Sequence, residues 1–138
     1  MNMQRQATAV WNGTIKEGKG NLTSQSGILK QTPYTFVSRF ENGTGTNPEE
    51  LMAAAHAGCF TMKLSADLTS AGYTPEELTT TSTITLDNGV ITKSDLVLTA
   101  KIPGITEEDF QKLAKSAEET CPVSNAYNLK ISLKTTLL

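Results

Sequence analysis

The sequence is poor in the features that define many functional classes. Its 138 residues include two cysteines, Cys59 and Cys121, and a single histidine, His56. Two cysteines are too few for a disulfide scaffold. There is no CxxC pair, and His56-x-x-Cys59 with a distant Cys121 is a weak zinc signal, so no metal site is expected. No apolar run reaches the ~20 residues that cross a bilayer. The first residues, MNMQRQATAVW, lack the apolar stretch of ~7–15 residues found in a secretory leader. A cytoplasmic protein is therefore expected. No charge of one sign dominates: 12 Lys and Arg face 14 Asp and Glu, for a net charge of -2. That balance excludes the basic field a nucleic-acid binder needs and the polybasic patch of a membrane-surface protein. No G-x-S-x-G elbow accompanies the histidine, and neither a P-loop nor a dinucleotide fingerprint is present. No repeat or low-complexity linker divides the chain, so one domain over residues 1–138 is expected.

What is there is a globular pattern. Hydrophobic residues make up 38% and charged residues 19%, too apolar for a disordered chain. Asn12-Gly13 predicts a two-residue hairpin after Gln6–Trp11. Tyr34–Phe40 reads as a strand, so the first third holds three or four antiparallel strands. Asn47, Pro48, Glu49 and Glu50 then form a helix start: an N-cap, a proline at the first turn and acids at the positive end of the dipole. The helix is predicted from Pro48 to about Ala71, with Gly72 as its stop. Its middle, LMAAAHAGCFTM, is small or apolar on nearly every side, which predicts burial all round. Alternating residues on either side of Asn88-Gly89 predict a hairpin. A second helix begins near Thr106, with Phe110, Leu113, Ala114, Ala117 and Cys121 on one stripe. Leu129 to Leu137 close the chain as a strand. The class is α+β, with antiparallel sheet packed around helices.

Cys59 is the residue with chemical potential. A free cysteine is commonly a small buried apolar group. As a thiolate nucleophile it needs a nearby cation, because an unperturbed thiol has a pKa of ~8.5. His56, Lys63 and Arg39 are the candidates, and Arg39 alone stays charged at every relevant pH. Glu49 or Glu50 is the carboxylate available to pair with it. Glu49 precedes Cys59 by ~15 Å of unbroken helix. One arginine therefore reaches both only if it is extended, if the helix is interrupted, or if two subunits contribute.

The segments Arg39-Phe40, Gly45-Thr46-Asn47-Pro48-Glu49-Glu50-Leu51, Ala54-Ala55-His56-Ala57-Gly58-Cys59-Phe60 and Cys121-Pro122-Val123-Ser124 resemble the OsmC/Ohr family of thiol-dependent hydroperoxide reductases. Similarity extends over essentially the whole chain. His56 three residues before Cys59, and Arg39 directly before Phe40, point to the OsmC branch, which answers osmotic and general stress. Gly58 departs from that branch, where alanine is usual. The resemblance implies that Cys59 attacks the peroxide and becomes a sulfenic acid, and that Cys121 resolves it as an intrachain disulfide. It implies that Arg39 holds the Cys59 thiolate and that Glu49 orients Arg39. A pocket of Phe36, Phe40, Met52, His56 and Phe60 would favour organic hydroperoxides over hydrogen peroxide. The implied fold is an intertwined homodimer whose sheets wrap two long central helices. No redox cofactor is implied. The implied reductant is a dithiol, such as a lipoyl group on a protein. A non-catalytic stress or ligand-binding protein on the same fold is the alternative.

Overall fold

The computed structural model describes residues 1–40 and 45–138, and the side chains of Arg39 and Phe40 lie outside that description. The elements are β1 (Ala7–Asn12), β2 (Lys19–Ser24), β3 (Thr32–Tyr34), α1 (Phe36–Phe40), α2 (Pro48–Ser70), β4 (Glu77–Asp87), β5 (Val90–Lys101), α3 (Glu107–Thr120), α4 (Pro122–Ala126) and β6 (Lys130–Leu137). This is the α+β class: two three-stranded sheets and one long helix. The chain forms two compact units, residues 1–51 and 52–138.

In the first unit, β1, β2 and β3 form an antiparallel meander. Two details differ from expectation. Asn12 pairs with Lys19, so residues 13–18 form a longer loop in place of a two-residue turn. Thr14 closes that loop: its carbonyl accepts from the Gly18 N–H at 2.7 Å and its hydroxyl from the Glu17 N–H at 3.2 Å. The strand expected over Tyr34–Phe40 ends at Tyr34, and Phe36–Phe40 is helical. Thr35 and Ser38 cap each other reciprocally. The Thr35 hydroxyl accepts from the Ser38 N–H at 3.1 Å, and the Ser38 hydroxyl accepts from the Thr35 N–H at 2.7 Å. This is a capping box with serine in place of Glu or Gln, and it overrides the aromatic alternation.

In the second unit, Asn88 (φ 49°) and Gly89 (φ 77°) both adopt positive φ, the geometry of the tight turn that matches strand twist. They join β4 antiparallel to β5. β6 pairs with β5 in parallel, so this sheet is mixed. The reason is the connection: residues 102–129 carry α3 and α4 and return the chain to the starting end, as a parallel pair requires. Thr106 caps α3, its hydroxyl accepting from the Asp109 N–H at 3.1 Å.

α2 starts where the sequence places it and stops at Gly72. The Tyr73 N–H bonds to the Leu68 carbonyl at 2.9 Å and the Gly72 N–H to the Thr69 carbonyl at 3.1 Å. This closing pair needs the left-handed φ of +92° that Gly72 adopts. His56, Phe60, Leu64 and Leu68 form one fully buried stripe along α2. The last three pack in a core with Leu96, Leu98, Phe110, Ala114 and Ala117. Each large apolar side chain buried this way contributes roughly 1.5–3 kcal/mol. Among the described residues the opposite face of the helix is left open, where the sequence predicts burial all round. Ala54, Ala55, Gly58 and Ala66 are exposed, and Met62 is 75% exposed. Among the described residues no helix is long and apolar enough to cross a membrane.

Candidate functional site

The second unit brings the two cysteines together from opposite ends of its sequence. Cys59 lies midway along α2 and is half-buried. Cys121 closes the apolar stripe of α3, where Pro122 ends one helix and begins the next, and it is fully buried. The two thiols interact, each shifting the other's pKa, and both are free. Burial raises the pKa of Cys59, the bond with Cys121 raises it further, and the Val123 N–H opposes this. Burial acts on Cys121 in the same sense. The polar groups around it, Cys59, the Ser124 N–H and hydroxyl and the Val123 N–H, outweigh it, so the Cys121 pKa is lowered.

An apolar cavity of about 280 Å³ opens at Cys59, lined by Met62, Lys63, Ala66 and Pro122. The helical members follow Cys59 at i+3, i+4 and i+7, a stripe legible in the sequence that the expected pocket left out. The Lys63 ammonium is 2.6 Å from the Asp67 carboxylate, so its charge is already balanced. Phe60 belongs to the core, Met52 is half-buried, and Phe36 is 37% exposed in the first unit. The side chains of Phe40 and Arg39 lie outside the described residues.

His56 is fully buried. Its Nδ1 is 2.6 Å from the Ser94 hydroxyl and its Nε2 is 2.8 Å from the Ser124 hydroxyl. Desolvation lowers its pKa, so at neutral pH the imidazole is uncharged, with one donor and one acceptor nitrogen. Tyr127 stacks edge-on against it at 5.5 Å between ring centres and donates its hydroxyl to the Met52 carbonyl at 2.9 Å. With both nitrogens directed at serines, His56 does not turn to a metal. Among the described residues no cluster of three or more His, Cys, Asp or Glu is arranged to hold one.

In the first unit, Glu49 is buried in the opening turn of α2. Glu50 is exposed, and its carboxylate accepts from the Thr46 hydroxyl at 2.7 Å. The Glu50 N–H bonds to the Asn47 side-chain oxygen at 2.8 Å, which makes Asn47 the N-cap. α2 is unbroken from Pro48 to Ser70, so an interruption between Glu49 and Cys59 is ruled out.

A family profile described as OsmC-like protein matches residues 41–136. The chain is 43% identical over 137 residues to Peroxiredoxin OsmC of Escherichia coli, covering 96% of each sequence. It is 27% identical over 135 residues to the organic hydroperoxide resistance protein OhrB of Bacillus subtilis, covering 88% of this chain and 91% of that one. Among solved structures, an organic hydroperoxide resistance protein from Elizabethkingia anophelis superposes with a TM-score of 0.73 at 28% identity, covering 100% of both chains. An OsmC-like protein from Mycoplasma pneumoniae has the same fold, with a TM-score of 0.79 at 17% identity, covering 100% of this chain and 99% of that one.

Proposed function

The chain belongs to the OsmC-like family, in its OsmC branch, and we propose that it is a cysteine-based peroxidase of stress defence that reduces organic hydroperoxides more readily than hydrogen peroxide. The observation that carries this reading is the interacting pair of free thiols, Cys59 and Cys121, beside an apolar cavity. The Cys59 thiolate attacks one peroxide oxygen and the O–O bond breaks. The alkoxide leaves and takes a proton to become the alcohol, and the sulfur is oxidised to a sulfenic acid. Cys121 then attacks the Cys59 sulfur, the S–O bond breaks, and hydroxide leaves as water. A dithiol reductant, such as a protein-bound lipoyl group, restores both thiols by exchange.

Arg39 has a defined task in this reading. The surroundings of the pair favour charge on Cys121, and attack needs it on Cys59. A permanent cation against Cys59 reverses that order. Glu49 is the better candidate to orient Arg39, since Thr46 engages the carboxylate of Glu50. The chain acts as one domain within a cytoplasmic homodimer. Support for the dimer comes from the exposed small-residue face of α2 and from the open groove of about 720 Å³ between α2 and β4. The Met62, Ala66 and Pro122 lining at Cys59 favours an alkyl peroxide. Replacing Cys59 by serine tests the reading: peroxide turnover is lost, and full turnover by Cys59→Ser would overturn it.

A further inference from the structure

The mechanism above gives His56 no task, yet it is fully buried with both nitrogens engaged. A burial this complete is costly for a polar ring unless its bonds are met, and they are met in a row. The Ser82 and Ser94 hydroxyls are 2.9 Å apart, Ser94 is 2.6 Å from His56 Nδ1, and His56 Nε2 is 2.8 Å from Ser124. Ser124 stands in the first turn of the helix that Cys121 caps, and its hydroxyl is among the groups that lower the Cys121 pKa. Four elements meet in this row: β4, β5, α2 and α4. The described titratable groups against it are Cys59, Cys121 and Tyr127, and Tyr127 gives its proton to the Met52 carbonyl.

We propose that His56 is a positioning residue that, through Ser124, holds Cys121 as the thiolate that resolves the Cys59 sulfenic acid. The inference rests on the peroxidase reading above. A neutral imidazole fixes the direction of a row of hydroxyls, because one nitrogen must accept and the other donate. When Cys121 is a thiolate, Ser82 donates to Ser94, Ser94 to Nδ1, Nε2–H to Ser124, and Ser124 to the sulfur. When Cys121 is a thiol, every bond points the other way. Loss of the Cys121 proton therefore reverses the row and releases one proton at Ser82, which is half-buried where Cys121 is not exposed at all. The row matters most after the first step. Oxidation of Cys59 removes one group that lowers the Cys121 pKa, and Ser124 then carries the stabilisation together with the backbone N–H groups.

The test follows sulfenic acid and disulfide separately by quenched-flow mass spectrometry after one equivalent of tert-butyl hydroperoxide. Ser124→Ala, which removes one oxygen, and His56→Leu, which fills space without hydrogen bonding, should slow disulfide formation by about tenfold or more, the effect of one lost hydrogen bond to a charged group. Sulfenic acid should accumulate in both. In a Cys59→Ser background, thiolate absorbance at 240 nm should titrate at higher pH when either change is added. His56→Gln, whose amide both accepts and donates, should restore much of the resolution rate. Disulfide formation at the parent rate in Ser124→Ala, with an unchanged thiolate titration, overturns the inference. So does a His56→Leu protein that resolves as fast as His56→Gln. If the parent protein forms no sulfenic acid, the peroxidase reading itself has failed.

Discussion

Gly58 offers a direct test of how the helix beneath Cys59 is held. It lies in the interior of α2, is exposed, and a Cβ built on it meets nothing within 4 Å among the described residues. Gly58→Ala therefore introduces no clash within its own chain, and the dimer contact on this face of α2 is taken to leave room for one methyl group. It also buries nothing, so the effect is one of backbone freedom alone. Glycine inside a helix is about 1 kcal/mol less favourable than alanine. Unfolding entropy of about 2.1 cal/mol/K per residue gives roughly 0.3 kcal/mol/K for this chain, so Tm should rise by about 3 °C. Differential scanning calorimetry of the reduced protein reads the shift. Side chains at 58 and 59 point ~100° apart on the helix, so peroxide turnover should stay within about twofold. A lower Tm would refute the reasoning: it would mean that another surface approaches Gly58 closely in the assembled protein, and that helix propensity does not govern the site.

Other expectations follow from single contacts. Thr106→Ala removes the bond from the Asp109 N–H to the α3 cap and should destabilise by about 1 kcal/mol, read as a lower denaturant midpoint. Phe110→Ala opens a cavity in a fully buried stripe and should cost about 3–5 kcal/mol, with a fall in Tm far larger than for Thr106→Ala. Cys121→Ser should complete one peroxide reduction and stop, leaving a sulfenic acid at Cys59 that dimedone traps; repeated turnover with a dithiol would contradict the resolving role. His56 is buried with a lowered pKa, so the unfolded state binds its proton first as pH falls. Stability from this group is complete above about pH 6.5 and declines below it. Tm should drop between pH 7 and pH 5, and His56→Gln should flatten that slope; an equal slope in both proteins would count against it.

Much of the fold is written locally. Asn47-Pro48-Glu49-Glu50 marks the start of α2, Gly72 marks its end, and Asn88-Gly89 fixes the β4–β5 turn, each by backbone chemistry within a few residues. The stripe from Phe110 to Cys121 gives the buried face of α3. The misreadings share a cause. The aromatic alternation over Tyr34–Phe40 suggests a strand, but the Thr35 and Ser38 hydroxyls satisfy a helix start. Asn12-Gly13 suggests a tight hairpin, but Thr14 closes a longer loop. The parallel placement of β6 depends on how far α3 carries the chain, which no local signal states. At the site, Cys59 and Cys121 are singled out through family resemblance, and the fold places them beside one another. Met62 and Ala66 are legible through helical spacing. The partnership of His56 with Ser82, Ser94 and Ser124 joins four elements, and periodicity within any one of them is silent about it.

The central claim is that Cys59 and Cys121 form one redox pair. Intact mass and free-thiol count, taken after one equivalent of tert-butyl hydroperoxide is added to the reduced protein, test it most directly. The account expects rapid loss of both thiols with a mass lower by about two hydrogens, the signature of an intrachain disulfide. Survival of both thiols through prolonged exposure would contradict it.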